Sequence, residues 1–313
     1  MEPSYLGGMK EMYHICFTSH DEVMFRDEED HGMFVNLMAL RSYSSGTEVV
    51  VDAEMSTHVH QGVFSNRPLE FARRERMSYT KYFNYKYGRE GRFGQKYTFV
   101  QPVRGFMHQL TLQNYILRNG LHHGAVTNTF AYPYCTAGDL FSEELGFGNS
   151  VSARYSREEM VSFLPRHSDF PDGYQMDRSG VFLRSSFMEL RQAEQYYVTP
   201  RNYLFQMNRL TDESWSRDQL KDNTGEPLTL DAVEQADENA VAQMLRNETG
   251  KTRLMMQDLE VCRLIDKAIL HGGVSVYQIP DSKKQGIARQ LFYEHHLPEH
   301  QIRRCLVYYG SCR

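Results

Sequence analysis

The order of strand-like and helix-like segments between residues 12 and 121 constrains the fold more than any other feature of this sequence. Short apolar runs alternate with longer runs whose apolar residues recur at helical spacing, and Pro68 and Gly88 mark the first turn and the end of one helix. The predicted strands are residues 12–18, 48–54, 58–64 and 96–103, and the predicted helices are residues 27–40, 68–87 and 104–121. This order predicts an α+β fold, a ferredoxin-like antiparallel sheet with helices on one face.

The second half of the chain differs in character. Ser156 and Glu159 form a capping-box pattern, and Thr199-Pro200 starts a predicted helix over residues 201–210. Two short helices are predicted on either side of residues 295–298. We therefore divide the 313 residues into a domain over residues 1–150 and a mostly helical accessory region over residues 151–313. Residues 281–308 fit either a helix-turn-helix or a plain helical hairpin.

The composition argues against several classes of protein. Apolar runs fall well short of the roughly 20 residues that a membrane-spanning helix needs. The first residues lack the basic and apolar regions of a secretory signal, so we expect a cytoplasmic protein with no membrane partner. The five cysteines are scattered without a CxxC pair, which indicates neither a disulfide framework nor a zinc site.

Positive charge is concentrated in one segment, although the whole chain has a formal net charge of −5. Residues 61–118 contain eleven Lys and Arg against three acids, a local net charge of +8. Aromatic residues alternate with these charges, so the segment can bind phosphates and stack bases, or it is a solvated amphipathic helix whose rings face a core. The candidate DNA-binding residues are Arg73, Arg74, Arg76, Lys81, Lys86, Arg92 and Lys96, with Arg303 and Arg304 near the end of the chain.

Two residue pairs have the spacing of a catalytic metal site. His58 and His60 lie two apart on a predicted strand, so both imidazoles point to the same face. Tyr115 and Asn119 lie four apart on a predicted helix, where a phenol can act as a nucleophile and an amide oxygen can bind a hard cation. Taken separately, each pair also fits a buried core. His122-His123 can touch a phosphate, although adjacent side chains diverge on a helix.

Six motifs in order resemble the single-tyrosine HUH transposases, specifically the REP-associated tyrosine transposase branch. They are YHI at 13–15, FRDEED at 25–30, THVH at 57–60, YTKYFN at 79–84, GRFGQK at 91–96 and NYILRNG at 114–120. Three positions depart from the family pattern. Ser56-Thr57 replaces Pro-Asn before the first histidine, Gly94 stands where a bulky residue is common, and Gly120 replaces a proline.

The resemblance implies a function for the first domain. His58, His60 and Asn119 would bind Mg²⁺ or Mn²⁺, and Tyr115 would attack a DNA phosphate, leaving a 5′-phosphotyrosine link and a free 3′-hydroxyl. The substrate would be single-stranded DNA next to a hairpin, cut by a monomer or homodimer in a bacterial cytoplasm, associated with the nucleoid when bound. The alternatives are a catalytically decayed DNA-hairpin-binding protein with the same fold, and a metal-binding protein unrelated to DNA.

Overall fold

A computed structural model describes residues 10–19, 21–94, 98–126, 128–146, 152–208 and 256–312. Some of the sequence predictions fall partly or wholly outside these ranges. They are Lys96 with the start of the strand predicted over 96–103 and the end of the motif at 91–96, the boundary between residues 150 and 151, and the last two residues of the helix predicted over 201–210.

Four strands form one antiparallel sheet in the order β2-β3-β1-β4. The strands are β1 Glu11–Thr18, β2 Glu48–Glu54, β3 His58–Ser65 and β4 Phe99–Pro102. Two helices connect them, α1 Glu28–Ser45 between β1 and β2, and α2 Pro68–Tyr87 between β3 and β4. The α+β arrangement and the order of these elements agree with the sequence prediction.

Local chemistry sets the ends of both connecting helices. The Asp27 side chain accepts a hydrogen bond from the Asp30 amide at the start of α1, which satisfies a donor that has no partner within the helix. Pro68 occupies the first turn of α2, where a missing N–H costs nothing. Gly46 and Gly88 end α1 and α2 in the left-handed conformation that glycine adopts without strain.

The two faces of the sheet are covered by different helices. Phe17 and Val59 point toward α1 and α2, whereas Met12 and Gly62 point to the other face, where the helix after β4 packs. That helix is α3, Phe106–Leu117. The prediction of helices on one face is therefore wrong for α3. The strands are buried on both faces, so each face needs its own cover.

The helix predicted over residues 104–121 is in fact two helices. The backbone of Arg118 leaves the helical region, with φ −96° and ψ 5°, and a short helix α4, Asn119–His122, follows it. Asn119 therefore lies at the start of α4, one residue beyond the break, and not on the same continuous helix as Tyr115.

Short helices joined by irregular stretches follow as far as residue 208. They are α5 Ser142–Leu145, α6 Arg157–Ser162, α7 Arg184–Phe187, α8 Leu190–Glu194 and α9 Pro200–Asn208. Ser156 and Glu159 form the predicted capping box of α6. One hydrophobic cluster joins Val35 and Val49 to Phe170 and Phe182, so the core continues across the proposed junction near residue 150. The two-domain division stays a prediction.

Residues 256–312 contain the last group of helices. These are α10 Asp258–Arg263, a π-helical turn Leu264–Ile269, α11 Asp281–Tyr293 and α12 Glu299–Leu306. The last two helices stand on either side of residues 295–298, as predicted, and share one apolar cluster with α10. Whether they form a DNA-binding helix-turn-helix stays a prediction. Within the described ranges, no helix is both long and apolar enough to span a bilayer.

Candidate functional site

Strand β3 places both histidines of the THVH motif on the face that α3 covers. Val59 between them enters the α1–α2 side, so His58 and His60 point together to the other face. Their ring centroids are 5.0 Å apart, and both side chains are buried. The predicted common face of this pair is confirmed by the packing.

The residues after β4 complete the site. The Tyr115 hydroxyl lies 3.4 Å from Nε2 of His60, which is 55 residues away in sequence. Asn119 Oδ1 lies 3.4 Å from Nε2 of His58, 61 residues away. All four residues chosen from the sequence thus converge on one buried location. Their roles in catalysis and metal binding stay predictions.

A third histidine, for which the sequence predicts no role, belongs to the same cluster. His14 on β1 places Nε2 3.0 Å from Nδ1 of His60, and the two rings are stacked. In the tautomer where His60 Nδ1–H donates to His14, Nε2 of His60 keeps its lone pair on the Tyr115 side. The signal in the sequence was the YHI motif, in which position 14 shares a strand face with Met12 and Cys16.

The His122-His123 pair also lies at the site. The His123 ring centroid is 5.0 Å from that of His58, and the His122 centroid is 6.1 Å from that of Tyr115. Because α4 is only one turn long and ends at His122, the two adjacent rings reach different members of the cluster. The site therefore contains five imidazoles around one tyrosine.

Burial keeps much of this cluster uncharged. It lowers the pKa of His14 to about 3. It also lowers the pKa of His60 and His123 well below the usual range, and in both cases the nearby His58 ring adds to the shift. Near neutral pH these three rings are neutral, so each has one nitrogen lone pair, the form in which imidazole binds metal ions.

The chemistry of the donor set decides whether a divalent cation fits. Among the described residues, no group of three or more His, Cys, Asp or Glu side chains is arranged to hold a metal ion. The expected ligands are instead two imidazoles and an amide oxygen. Adjacent ligands around Mg²⁺ lie roughly 3 Å apart, and His58 Nε2 and Asn119 Oδ1 are 3.4 Å apart. The coordination positions of the cation that these three ligands do not fill would be left for water and phosphate oxygens, an arrangement typical of Mg²⁺.

Two of the departures from the family pattern have a structural reason. A Cβ on Gly120 would lie 2.6 Å from the Tyr132 ring, so only glycine allows that ring to pack against the start of α4. Gly94 has a φ of +52°, and a Cβ there would lie far inside contact distance of the Thr18 carbonyl. Both glycines are required by close approaches near the site.

The candidate DNA-binding residues fall into two groups. Exposed side chains are those of Arg73, Arg74, Lys81, Arg92 and Arg303. Arg76 donates to the Phe93 carbonyl at 2.8 Å, Lys86 pairs with Asp27 and Asp30, and Arg304 pairs with Asp258. These three cations stabilise the fold through their contacts within the chain. Helix α2 itself lies on the face of the sheet opposite to Tyr115.

The aromatic rings of the basic segment mostly have a core role. Tyr79, Phe83 and Phe93 are fully buried in one cluster with α1. Tyr85, at 92% exposure, is the most exposed ring on α2. The hypothesis of a base-stacking surface is therefore wrong for the buried rings, and the alternative of an amphipathic helix with rings toward a core describes them.

Comparisons with known proteins find little similarity. No protein-family model matches the chain, and no curated protein matches it. One solved structure that does match is described as a REP-associated tyrosine transposase bound to a REP hairpin. It is 13% identical, with a TM-score of 0.37, over 46% of this chain and 86% of that one. A likeness at this TM-score carries no argument about this chain.

Proposed function

We propose that this chain is a metal-dependent, single-tyrosine enzyme that nicks and rejoins single-stranded DNA next to hairpins, built on a ferredoxin-like domain. One observation carries the proposal. The Tyr115 hydroxyl faces His60 at 3.4 Å, while Asn119 faces the neighbouring His58 at the same distance. A tyrosine, two imidazoles and an amide oxygen in one place are the groups that such a reaction needs.

In the proposed reaction, the Tyr115 oxygen forms a bond to phosphorus and the bond from phosphorus to the 3′-oxygen breaks. The phenol loses its proton and the departing 3′-oxygen gains one, so the products are a 5′-phosphotyrosine and a free 3′-hydroxyl. Attack by another 3′-hydroxyl reverses these changes and joins two ends. His14 orients His60 through their hydrogen bond, and burial limits competing hydrolysis by water.

The proposed cofactor is Mg²⁺ or Mn²⁺, held by His58, His60 and Asn119. A phenol with a pKa near 10 is a poor nucleophile at neutral pH, and a bound divalent cation compensates by stabilising charge on the nonbridging phosphate oxygens.

One observation favours a second candidate, a DNA-hairpin-binding protein without turnover. Tyr115 is only 2% exposed, so a phosphate reaches its hydroxyl only if neighbouring side chains move. A protein that has lost catalysis would tolerate such a covered tyrosine. The two candidates differ in whether a covalent adduct forms.

The test is incubation of the purified chain with Mn²⁺ and hairpin-flanked oligonucleotides, followed by denaturing electrophoresis. The enzyme predicts a denaturation-resistant protein–DNA adduct that Tyr115→Phe abolishes. Tyr197→Phe is the matched control, because Tyr197 is also fully buried against α3 and its hydroxyl contacts Asn114. DNA binding without adduct across several hairpin libraries would leave the binding protein, and absence of both rejects the two candidates together.

A further inference from the structure

The turn between β2 and β3 leads directly into the candidate metal ligands. It is closed by hydrogen bonds in both directions between Met55 and His58, with Ser56 and Thr57 at its centre. The Thr57 hydroxyl lies 3.2 Å from Nδ1 of His58, the ring nitrogen on the side away from Asn119. The orientation of the His58 ring therefore depends on the conformation of this turn.

The segment between β1 and α1 holds the backbone of the turn by hydrogen bonds. The Thr57 carbonyl accepts from the Ser19 amide at 2.8 Å, and the Ser56 carbonyl accepts from the Met24 amide at 2.7 Å. These bonds fix the two carbonyls, but they do not touch the side chain of Ser56.

A carboxylate from the far end of the chain holds that side chain. The Ser56 hydroxyl donates to Oδ2 of Asp258 at 2.7 Å, across 202 residues of sequence. Asp258 itself is held by Arg304, whose Nε and Nη2 donate at 2.6 and 2.8 Å, and by Gln301, whose Nε2 donates at 2.9 Å. Burial alone would raise the pKa of Asp258, but these donors outweigh it and leave the pKa below the usual value.

The start of α10 contacts the other side of the site as well. The Gln257 side chain donates to the Ala125 carbonyl at 3.1 Å, two residues after His123. Gln257 and Asp258 are adjacent, so one helix start touches both the turn before His58 and the segment after α4.

We propose that Asp258 is a positioning residue for His58: it holds Ser56, and through the turn it fixes the Thr57 hydroxyl against the His58 ring. The C-terminal helices thus support the candidate metal centre, a role that nothing in the spacing of the motifs indicates. The metal readout below rests on the proposed function, whereas the ring-orientation readout does not.

The chain offers a matched control. Arg26 pairs with Asp266 through two hydrogen bonds of 3.0 and 2.9 Å, and this pair also joins residues 256–312 to the N-terminal half. Asp266 touches Arg26 near the start of α1 and not the turn at Ser56. Asp266→Asn should weaken docking of the C-terminal helices without disturbing His58.

The experiment compares Asp258→Asn, Ser56→Ala and Asp266→Asn in the full chain. The first readout is the tautomer of His58, followed by two-bond ¹H–¹⁵N NMR of its ring nitrogens without metal or DNA. We expect one defined tautomer in the wild type and in Asp266→Asn, and averaged signals in Asp258→Asn and Ser56→Ala. The second readout is Mn²⁺ affinity by calorimetry, which should fall about tenfold in the two turn variants.

The outcomes separate positioning from docking. Equal effects of Asp258→Asn and Asp266→Asn on the His58 ring would overturn the proposal, because docking alone would then explain them. An unchanged ring in Ser56→Ala would also overturn it. If the wild type forms no DNA adduct or binds no Mn²⁺, the proposed function fails, yet the NMR comparison still decides the positioning role.

Discussion

His14 and His60 are diagonal neighbours on adjacent strands, with Nε2 of His14 3.0 Å from Nδ1 of His60. In the register of β1 and β3, His60 pairs with Cys16, and His14 pairs with Gly62. The missing side chain at Gly62 leaves room for Met12 and Ile116 to pack on that face. His14 thus contacts Nδ1 of His60, the ring nitrogen that does not face Tyr115, and both histidines are fully buried.

Replacing His14 with phenylalanine should impair the metal site more than the fold. The variant leaves Nδ1 of His60 buried without its partner, at a cost of about 1–3 kcal/mol in unfolding free energy. Loss of an orienting hydrogen bond to a ligand lowers metal affinity about 10- to 100-fold. Chemical denaturation and Mn²⁺ calorimetry measure the two effects.

The control is Phe99→Leu, which alters an aromatic neighbour of the His14 ring and should leave Mn²⁺ affinity unchanged. Equal affinity in His14→Phe and wild type would contradict the orienting role.

The exposed cations of α2 should contribute to DNA affinity through charge alone. Arg73 and Lys81 are exposed and eight residues apart, so they lie on similar sides of the helix. The double variant Arg73→Gln, Lys81→Gln should bind single-stranded DNA more weakly. The slope of log affinity against log salt should shrink by about 0.7 for each phosphate that the variant no longer neutralises. Filter binding at several salt concentrations measures this slope.

The control for that prediction is Arg157→Gln, an exposed change on α6. It should leave the salt slope unchanged. If the α2 double variant keeps the wild-type slope, DNA does not contact this face, and the basic segment serves the fold alone.

The sequence predicted the sheet and its connecting helices closely because their signals are local. Pro68 and Gly88 act on the backbone at their own positions, and the strands are set by short runs of apolar residues. The face covered by α3 was not predictable in this way. The apolar residues of α3 lie on several sides of the helix, so their spacing does not indicate which side meets the sheet. They include Leu110, Leu112, Ile116 and Leu117.

Long-range polar contacts explain most of what the sequence did not reveal at the site. Asp258 holds Ser56 across 202 residues, and no local pattern marks either residue as a partner. The sequence suggested that Arg76 and Lys86 could bind DNA. In the structure Arg76 donates to the Phe93 carbonyl, and Lys86 pairs with the buried Asp30 carboxylate. By contrast, we expected four residues to lie together, because the six ordered motifs resemble a family in which these positions form one site. The four are His58, His60, Tyr115 and Asn119.

Arg184 should be among the most sensitive positions for stability. Its guanidinium forms two hydrogen bonds to Asp52 at 2.9 and 3.0 Å and one to Glu54 at 2.8 Å, and both carboxylates are fully buried on β2. Arg184→Met removes the cation from these two buried acids and leaves Asp52 with Thr136 and Glu54 with His31 as polar partners, which should cost about 3–5 kcal/mol of unfolding free energy. Urea denaturation followed by circular dichroism measures the loss.

An exposed arginine provides the comparison. Arg157 pairs with Asp169 and Asp172 at the surface, so Arg157→Met should cost less than about 1 kcal/mol. Similar small losses for both variants would show that the buried network at Asp52 and Glu54 does not need its cation.

Glu75 should make the stability of the protein depend on pH. Its side chain is buried in α2, Oε1 accepts a hydrogen bond from Gln61 at 2.8 Å, and Oε2 has no hydrogen-bond partner among the described residues. Burial raises the pKa of Glu75 from 4.5 to about 8. The folded state therefore binds one more proton than the unfolded state between these values. Its contribution to stability is complete below about pH 4.5 and is lost as the pH rises through about 8.

Glu75→Gln isolates this contribution, because an amide of the same shape stays neutral at every pH. The melting temperature of the wild type should fall between pH 6 and pH 9 by more than that of the variant, with the curves closest at the acidic end. Thermal denaturation across this range measures the difference, and other titrating groups cancel because they are common to both proteins. Glu70→Gln, a partly exposed carboxylate on the same helix, should keep the wild-type dependence. Parallel curves for wild type and Glu75→Gln would mean that Glu75 is already ionised in the folded state, which would require solvent or a cation at Oε2.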